Sequence, residues 1–467
     1  MLFNSFSFIV LFPIICICYY QIPKTWRNPF LIICSYLLYM NWRPVYALIL
    51  LGITGITYTF ALWIETDIKY RKLKILLGGG ISLLPLLLFK YYNFINTSIS
   101  EGLTAIGLNF SMPGLNWIIP IGISFFTFQA YGYLADVYYS RIKAEHNFFD
   151  YALFISFFPQ IASGPISKAQ DLLPQIKSPR KFDYDQAVSG LKLLLWGMFM
   201  KVVVADRLGI YVNAVYDNYE YQSGLSNLVA SVFYSIQIYG DFAGYSFMAI
   251  GVAKVIGFDL INNFNRPYFS TSITEFWRRW HISLSIWLRD YVYIPLGGNR
   301  CSKLHNYWNI IITFLVSGIW HGANWTFIIW GLLHGGFQII EKALGLQYIN
   351  NKGWLKAIRI IITFTAVNFA WIFFRMPSVK DAGKVIGKII KDNDLSLFFP
   401  GTSDLLYMIT GLVILFASEI RDEYFPSRLL CFDNKSIIIR WCSYLFVLLI
   451  ILLIGIFDSG QFIYVNF

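Results

Sequence analysis

The sequence predicts an all-α polytopic membrane protein. Three observations carry that expectation: 57% of the 467 residues are hydrophobic and only 13% charged, the mean hydropathy is +0.56, and the apolar residues fall in continuous runs. So little charge on a chain this long leaves too few polar side chains to cover a water-soluble surface, so most must face lipid or one another. Continuous runs also exclude a transmembrane β-barrel, whose strands alternate between lipid and lumen.

A helix needs about 20 mostly apolar residues to cross the hydrocarbon core. The first such run, Leu2–Ile22, has no basic n-region and no small-residue cleavage site, so it reads as a retained span rather than a signal peptide. Val45–Ile64, Ile75–Ile95, Ile119–Tyr139, Ala187–Val204, Leu225–Ile256, Asn309–Ile340, Ile358–Phe374, Leu405–Ile420 and Ile437–Phe457 follow. Two shorter runs, Phe30–Met40 and Tyr151–Ile166, are short spans, half-helices or re-entrant segments, and Pro159, Gly164 and Pro165 interrupt the second. About ten to twelve crossings are expected, in one membrane domain covering residues 1–467 without repeats or a separate soluble part.

The net charge of +11 comes from 37 Lys and Arg against 26 Asp and Glu. In so apolar a chain such an excess belongs in cytoplasmic loops beside anionic lipid, and nucleic acid is not its reason. Lys24–Arg27, Lys69–Lys74, Arg141–Lys143 and Lys168–Lys181 are basic, whereas Asn96–Trp117 and Asp217–Gly224 carry only acidic charge. These groups are expected on opposite faces, with the N-terminus outside. Cys16, Cys18, Cys34, Cys301, Cys431 and Cys442 show neither zinc spacing nor a disulfide framework and read as small core residues.

From Asn262 to Arg300 the chain turns polar, basic and aromatic at once: NNFNRPYFSTSITEFWRRWHISLSIWLRDYVYIPLGGNR. Six basic residues between Asn265 and Lys303 oppose Glu275 and Asp290, with Trp277, Trp280 and Trp287 among them. Ser272 or Thr274 is a candidate helix cap, and helical spacing then puts Arg278, His281, Ser285 and Arg289 on one cationic stripe suited to phosphate. The plainer alternative is an interfacial helix with tryptophans at the headgroups and arginines on lipid phosphate.

The next run, NIIITFLVSGIWHGANWTFIIWGLLHGG, places His321 and Asn324 well inside an apolar span. Ionisable residues at that depth are costly and mark functional sites. On one helix, Ser317, Gly318, His321, Asn324 and Trp325 would share a face, with Gly318 and Gly322 permitting close approach of a helix or an acyl chain. The alternative is a neutral histidine hydrogen-bonded as interhelical glue, which suits His334 better. An imidazole in apolar surroundings stays neutral and available as a base at pH 7. Such a base can take the proton of a hydroxyl that attacks an acyl thioester, while arginines hold the donor's phosphates. No nucleophile elbow, Walker loop, HExxH motif or dinucleotide turn competes, and no metal is required.

At these residues the chain resembles the membrane-bound O-acyltransferase family, in its bacterial branch typified by alginate O-acetylation. The resemblance runs through ISFFTFQAYGYLADVYYSRI (Ile123–Ile142), SFFPQIASGPISK (Ser156–Lys168), KVVVADRL (Lys201–Leu208), IQIYGDFAGYSFMAIG (Ile236–Gly251), Phe264–Arg300, SGIWHGANWTFIIWGLLHG (Ser317–Gly335) and QFIYVNF (Gln461–Phe467). It implies a helical bundle with re-entrant or interfacial helices around a catalytic tunnel. The histidine of the WHGA motif, catalytic in the family, matches His321, and that of RRWHxSLS matches His281. Where the family commonly has an acid after GYS, this chain has Phe247, which puts in doubt any acidic role beside Asp241 and Tyr245. For those two, a structural bond between helices is at least as good a reading as substrate contact.

The resemblance further implies transfer of an acetyl or other short acyl group, usually from a cytoplasmic coenzyme A thioester, through the inner membrane of a bacterium to a hydroxyl on an extracytoplasmic polysaccharide or cell-wall polymer. Relatives often work with a separate extracytoplasmic partner resembling an SGNH hydrolase, and a D-alanyl branch takes its acyl group from a carrier protein instead. No permanently bound cofactor is expected; acetyl-CoA is the donor substrate. On this reading His321 is the general base and His281 assists. By charge and helical phase, Arg278, Arg279 and Arg289 contact donor phosphates, and Trp320 and Asn324 position the acyl group. Two rivals stand beside it. A polysaccharide or lipid transporter spreads its charges over several spans, and a membrane scaffold for an extracytoplasmic esterase tolerates replacement of His321.

Overall fold

The computed structural model describes residues 3–67, 69–108, 112–178, 180–346, 353–426 and 431–457. The expected closing motif Gln461–Phe467, and Leu2 of the first run, lie outside them. Every regular element among the described residues is helical. Six helices are long and apolar enough to cross a membrane: Tyr46–Thr66, Arg71–Ala105, Tyr184–Tyr216, Trp354–Arg375, Thr402–Tyr424 and Ile437–Ile454. Phe6–Gln21 and Phe148–Ile161 are shorter apolar stretches. The chain forms two compact units, Met1–Ser189 with Val252–Ile261, and Gly190–Gly251 with Asn262–Phe467.

The first unit contains α1 (Phe6–Gln21), α2 (Arg27–Met40), α3 (Tyr46–Thr66), α4 (Arg71–Leu86), α5 (Tyr92–Ala105), α6 (Ile123–Tyr138), α7 (Phe148–Ser156), α8 (Phe158–Ile161) and α9 (Ala169–Lys177). A π turn at Leu87–Tyr91, just after Pro85, joins α4 to α5. The Tyr151–Ile166 run is two short helices, with Pro159 in the first turn of the second, where its missing N–H costs nothing. Two buried glutamines are linked here: Gln129 donates to the Phe154 carbonyl at 2.6 Å, and Gln160 to Gln129 at 3.1 Å.

The helix α10 (Tyr184–Met198) runs on through a π turn at Phe199–Ala205 into α11 (Asp206–Tyr216). In the second unit this helix crosses α12 (Gly224–Val255) where Gly197 and Gly244 meet; a Cβ on Gly244 would come within 2.7 Å of the Gly197 carbonyl oxygen. That close approach brings Lys201 to 2.6 Å from Asp241, while Asp206, five residues on along the same helix, lies 2.8 Å from it. Lys201 and Asp241 are buried and Asp206 is half-buried, and a lysine among apolar residues is tolerable only when so paired. Asp241 therefore has an interhelical ion pair.

Then come α13 (Ile273–Arg279), α14 (Ile282–Leu288), α15 (Lys303–His321), α16 (Trp325–Ala343), α17 (Trp354–Arg375), α18 (Val379–Lys391), α19 (Thr402–Tyr424) and α20 (Ile437–Ile454). Two expectations are corrected here. The run Asn309–Ile340 is not one helix but the pair α15 and α16, because the chain turns extended at Gly322 and restarts at the cap Asn324. The two lie antiparallel, with Gly318 against Phe327 and Gly331, and Gly331 against Phe314. The cysteines, expected in the core, are half-buried or exposed and form no disulfide; on membrane helices the outer face meets lipid and a thiol gains nothing from burial there.

Candidate active site

The α13 helix starts where Ser272 Oγ accepts the Glu275 N–H at 3.0 Å, so of the two candidate caps Ser272 is used. The helix stops at Arg279. Trp280 is extended and His281 is left-handed, with φ +42° and ψ +54°, before α14 begins. A non-glycine residue in that region costs about 1–2 kcal/mol, so the surroundings must hold it there. Asn263 does so: its carbonyl accepts the Ile282 N–H at 2.9 Å, and its Oδ1 accepts the Ser283 N–H at 3.0 Å and Oγ at 2.9 Å.

This turn overturns the expected stripe of Arg278, His281, Ser285 and Arg289. His281 is fully buried whereas Arg278 and Arg289 are exposed, because the large aromatic side chains Phe276, Trp277 and Trp280 drag the segment inward. Arg289 pairs with its neighbour Asp290 at 2.7 Å. Arg279 is engaged by Glu275 at 2.7 Å and by Glu423 at 2.9 Å, so its guanidinium is already held by carboxylates.

His321 is the last residue of α15 and is 2% exposed. Its ring lies 6.3 Å from that of His281, centroid to centroid. Aromatic rings enclose the pair: Trp320 at 5.7 Å from His281 and 4.9 Å from His321, Phe242 at 4.6 Å from His281, and Trp330 and Phe374 at 4.9 and 5.3 Å from His321. Five helices or turns supply these rings, so only the folded chain assembles them. Imidazoles are the side chains most often used for general acid–base work, and two of them share this enclosure.

Residues 5–380 match the profile of the membrane-bound O-acyltransferase family. The chain belongs to this family. A probable alginate O-acetylase of Pseudomonas aeruginosa is 40% identical over 390 residues, 82% of this chain and 74% of the relative. A peptidoglycan O-acetyltransferase of Helicobacter pylori is 38% identical over 359 residues, 70% of this chain and 66% of the relative. A teichoic acid D-alanyltransferase of Bacillus subtilis is 29% identical over 307 residues, 63% of this chain and 75% of the relative. The protein is thus a membrane-bound acyltransferase.

Other sequence-predicted residues of this acyltransferase have different surroundings from those expected. Asn324 does not share a helical face with His321: its Oδ1 accepts the Thr326 N–H at 3.0 Å, capping α16, and its Nδ2 donates to the Pro377 carbonyl at 2.8 Å. Trp325, next along, is exposed. His334 has the interhelical role foreseen for it, although its partner is an indole: Trp277 Nε1 donates to its Nδ1 at 3.3 Å. Among the described residues no group of His, Cys, Asp and Glu side chains is placed to hold a metal ion. Sequence reasoning missed Lys201, whose position inside an apolar run was the available signal, and Glu423, whose partners lie some 150 residues away in the chain.

Proposed function

We propose that this enzyme moves an acetyl or other short acyl group from a cytoplasmic thioester, acetyl-CoA, to a hydroxyl of an extracytoplasmic polysaccharide or cell-wall polymer, with His321 as the general base. The observation that carries the reading is the convergence of His281 and His321, from separate segments, to 6.3 Å inside one buried aromatic enclosure. In this mechanism His321 takes the proton of the acceptor hydroxyl. The oxygen then attacks the thioester carbonyl, the C–S bond breaks, and the thiolate leaves and takes up a proton. His281 steadies the geometry or relays the proton, and Trp320 walls the acyl group.

Arg278, exposed beside the buried histidine turn, is the cation offered to donor phosphates, with Arg289, exposed but paired with Asp290, as the second. Acetyl is favoured by the relatives that are O-acetylating enzymes, whereas the D-alanyltransferases act on teichoic acid. The rest of the reading keeps the expected setting: residues 1–467 as one multi-pass domain of a bacterial inner membrane with about ten to twelve crossings, basic loops inside, and an SGNH-like extracytoplasmic partner.

The test supplies radiolabelled acetyl-CoA and a polymer acceptor, with partner, to purified wild type and His321→Ala. Wild type should transfer label, and the variant should lose roughly 10²–10⁴-fold in rate while remaining folded. Equal transfer by the variant removes His321 from the base role and favours the scaffold. Failure of wild type to consume donor with any acceptor favours the transporter.

A further inference from the structure

The α19 helix lies beyond residue 380, where the family match ends, yet it holds the His281 turn at two points one helical turn apart. Glu423, with its side chain 8% exposed, is forked between two arginines. Its Oε2 accepts Arg266 Nε at 2.9 Å and Arg279 Nη1 at 2.9 Å, and its Oε1 accepts Arg279 Nη2 at 3.1 Å. Glu419 accepts the phenol of Tyr239, whose ring packs 5.9 Å from Phe264 and 6.1 Å from Trp280.

Arg266 and Arg279 stand at the ends of the two chain segments that meet around His281. The Asn265 N–H donates to the Arg279 carbonyl, and the Ile282 N–H to the Asn263 carbonyl, both at 2.9 Å, so these segments bracket Trp280 and His281. Arg266 is itself left-handed, with φ +46°. Two non-glycine residues in that conformation, one on each of two segments that pair with each other, persist only where neighbours over-determine the backbone, and a bidentate Arg–carboxylate pair is among the stiffest side-chain contacts available.

We propose that Glu423 is a positioning residue for acyl transfer: by clamping Arg266 and Arg279 it sets the left-handed turn that presents His281 to His321, and Arg279 serves that clamp rather than the donor. The inference rests on the reading of His281 as part of the acyl-transfer site. A shift of about 1 Å at a reacting group can cost of the order of 10²-fold in rate, so loss of the clamp acts on turnover.

The experiment uses the full chain, as wild type, Glu423→Gln and Glu423→Asp. Three quantities are read: kcat and KM for acetyl-CoA with acceptor, the rate at which diethyl pyrocarbonate modifies His281 as mapped by mass spectrometry, and the melting temperature. Glu423→Gln should lower kcat roughly 10- to 100-fold with KM for acetyl-CoA nearly unchanged, and should speed modification of His281. Glu423→Asp, which keeps the charge, should recover part of the turnover. A raised KM at unchanged kcat overturns the proposal in favour of donor binding by Arg279. Unchanged kcat and unchanged His281 reactivity overturn it outright. If Glu423→Gln does not fold, Glu423→Asp carries the same comparison, because its shorter reach loosens the fork. Wild type that transfers nothing from acetyl-CoA defeats the functional reading, and His281 reactivity still decides the clamp.

Discussion

Glu275 shows how a single carboxylate at a helix start can carry several loads. Burial pushes its pKa up, but the Thr271 N–H and hydroxyl and the Arg279 guanidinium outweigh that and hold it below its ordinary 4.5. A carboxyl with a lower value in the folded state stabilises fully above the unfolded value, and that contribution fades as pH falls through the folded one. Glu275→Gln should therefore melt below wild type at neutral pH, with the gap closing on acidification past pH 4.5; a gap independent of pH would refute the linkage. At this scale the burial of His321 was legible, since an ionisable group inside an apolar run stands out, whereas that of His281, expected on a cationic stripe, was not. The role of Asn324 was not. Whether an asparagine caps a helix or lines its face depends on where the helix breaks, and the SGIWHGANWTF stretch fits either.

The break between α15 and α16 is the element that most changed. A continuous helix over Asn309–Ile340 satisfies the hydropathy pattern, yet the backbone turns at Gly322 and sends α16 back along α15. Gly318 and Gly331 make that return possible by letting the two backbones touch. A methyl at either would meet a backbone carbonyl of the other helix, which cannot move aside as a side chain can. Gly318→Ala and Gly331→Ala should each destabilise by roughly 1–3 kcal/mol, read as a lower melting temperature with reduced turnover, because His321 closes α15 one turn beyond Gly318. A variant as stable and active as wild type would mean the hairpin has slack. The RRWH segment differs for the same kind of reason: seven-residue helices on either side of His281 look like one helix in periodicity, and only Asn263 and the buried aromatics impose the kink.

At the scale of the molecule, the distribution of charge makes a topological prediction. Lys72 lies in the basic segment Lys69–Lys74, in the first turn of α4, and Tyr221 in an acidic loop, and positively charged flanks stay in the cytoplasm. In a background without native cysteines, Lys72→Cys and Tyr221→Cys should react with an impermeant maleimide from opposite sides of the membrane, Tyr221→Cys from outside. Labelling of both from one side would contradict the orientation proposed here. Buried charge follows different rules: Lys201 has one partner, Asp206, five residues on in its own helix, but Asp241 reaches it only because two helices cross where two glycines meet.

Composition and run length by themselves determined the membrane class and the helical fold, and the collinear motifs pointed to the family, because hydropathy and short motifs are local properties of the chain. Where helices stop, which arginines are held by carboxylates, and which aromatics close around the imidazoles were decided by tertiary structure alone. Each of those depends on partners far away in sequence: Glu423 for Arg279, Asn263 for the His281 turn, Phe374 for His321. No local pattern encodes contacts that exist only once distant helices are packed.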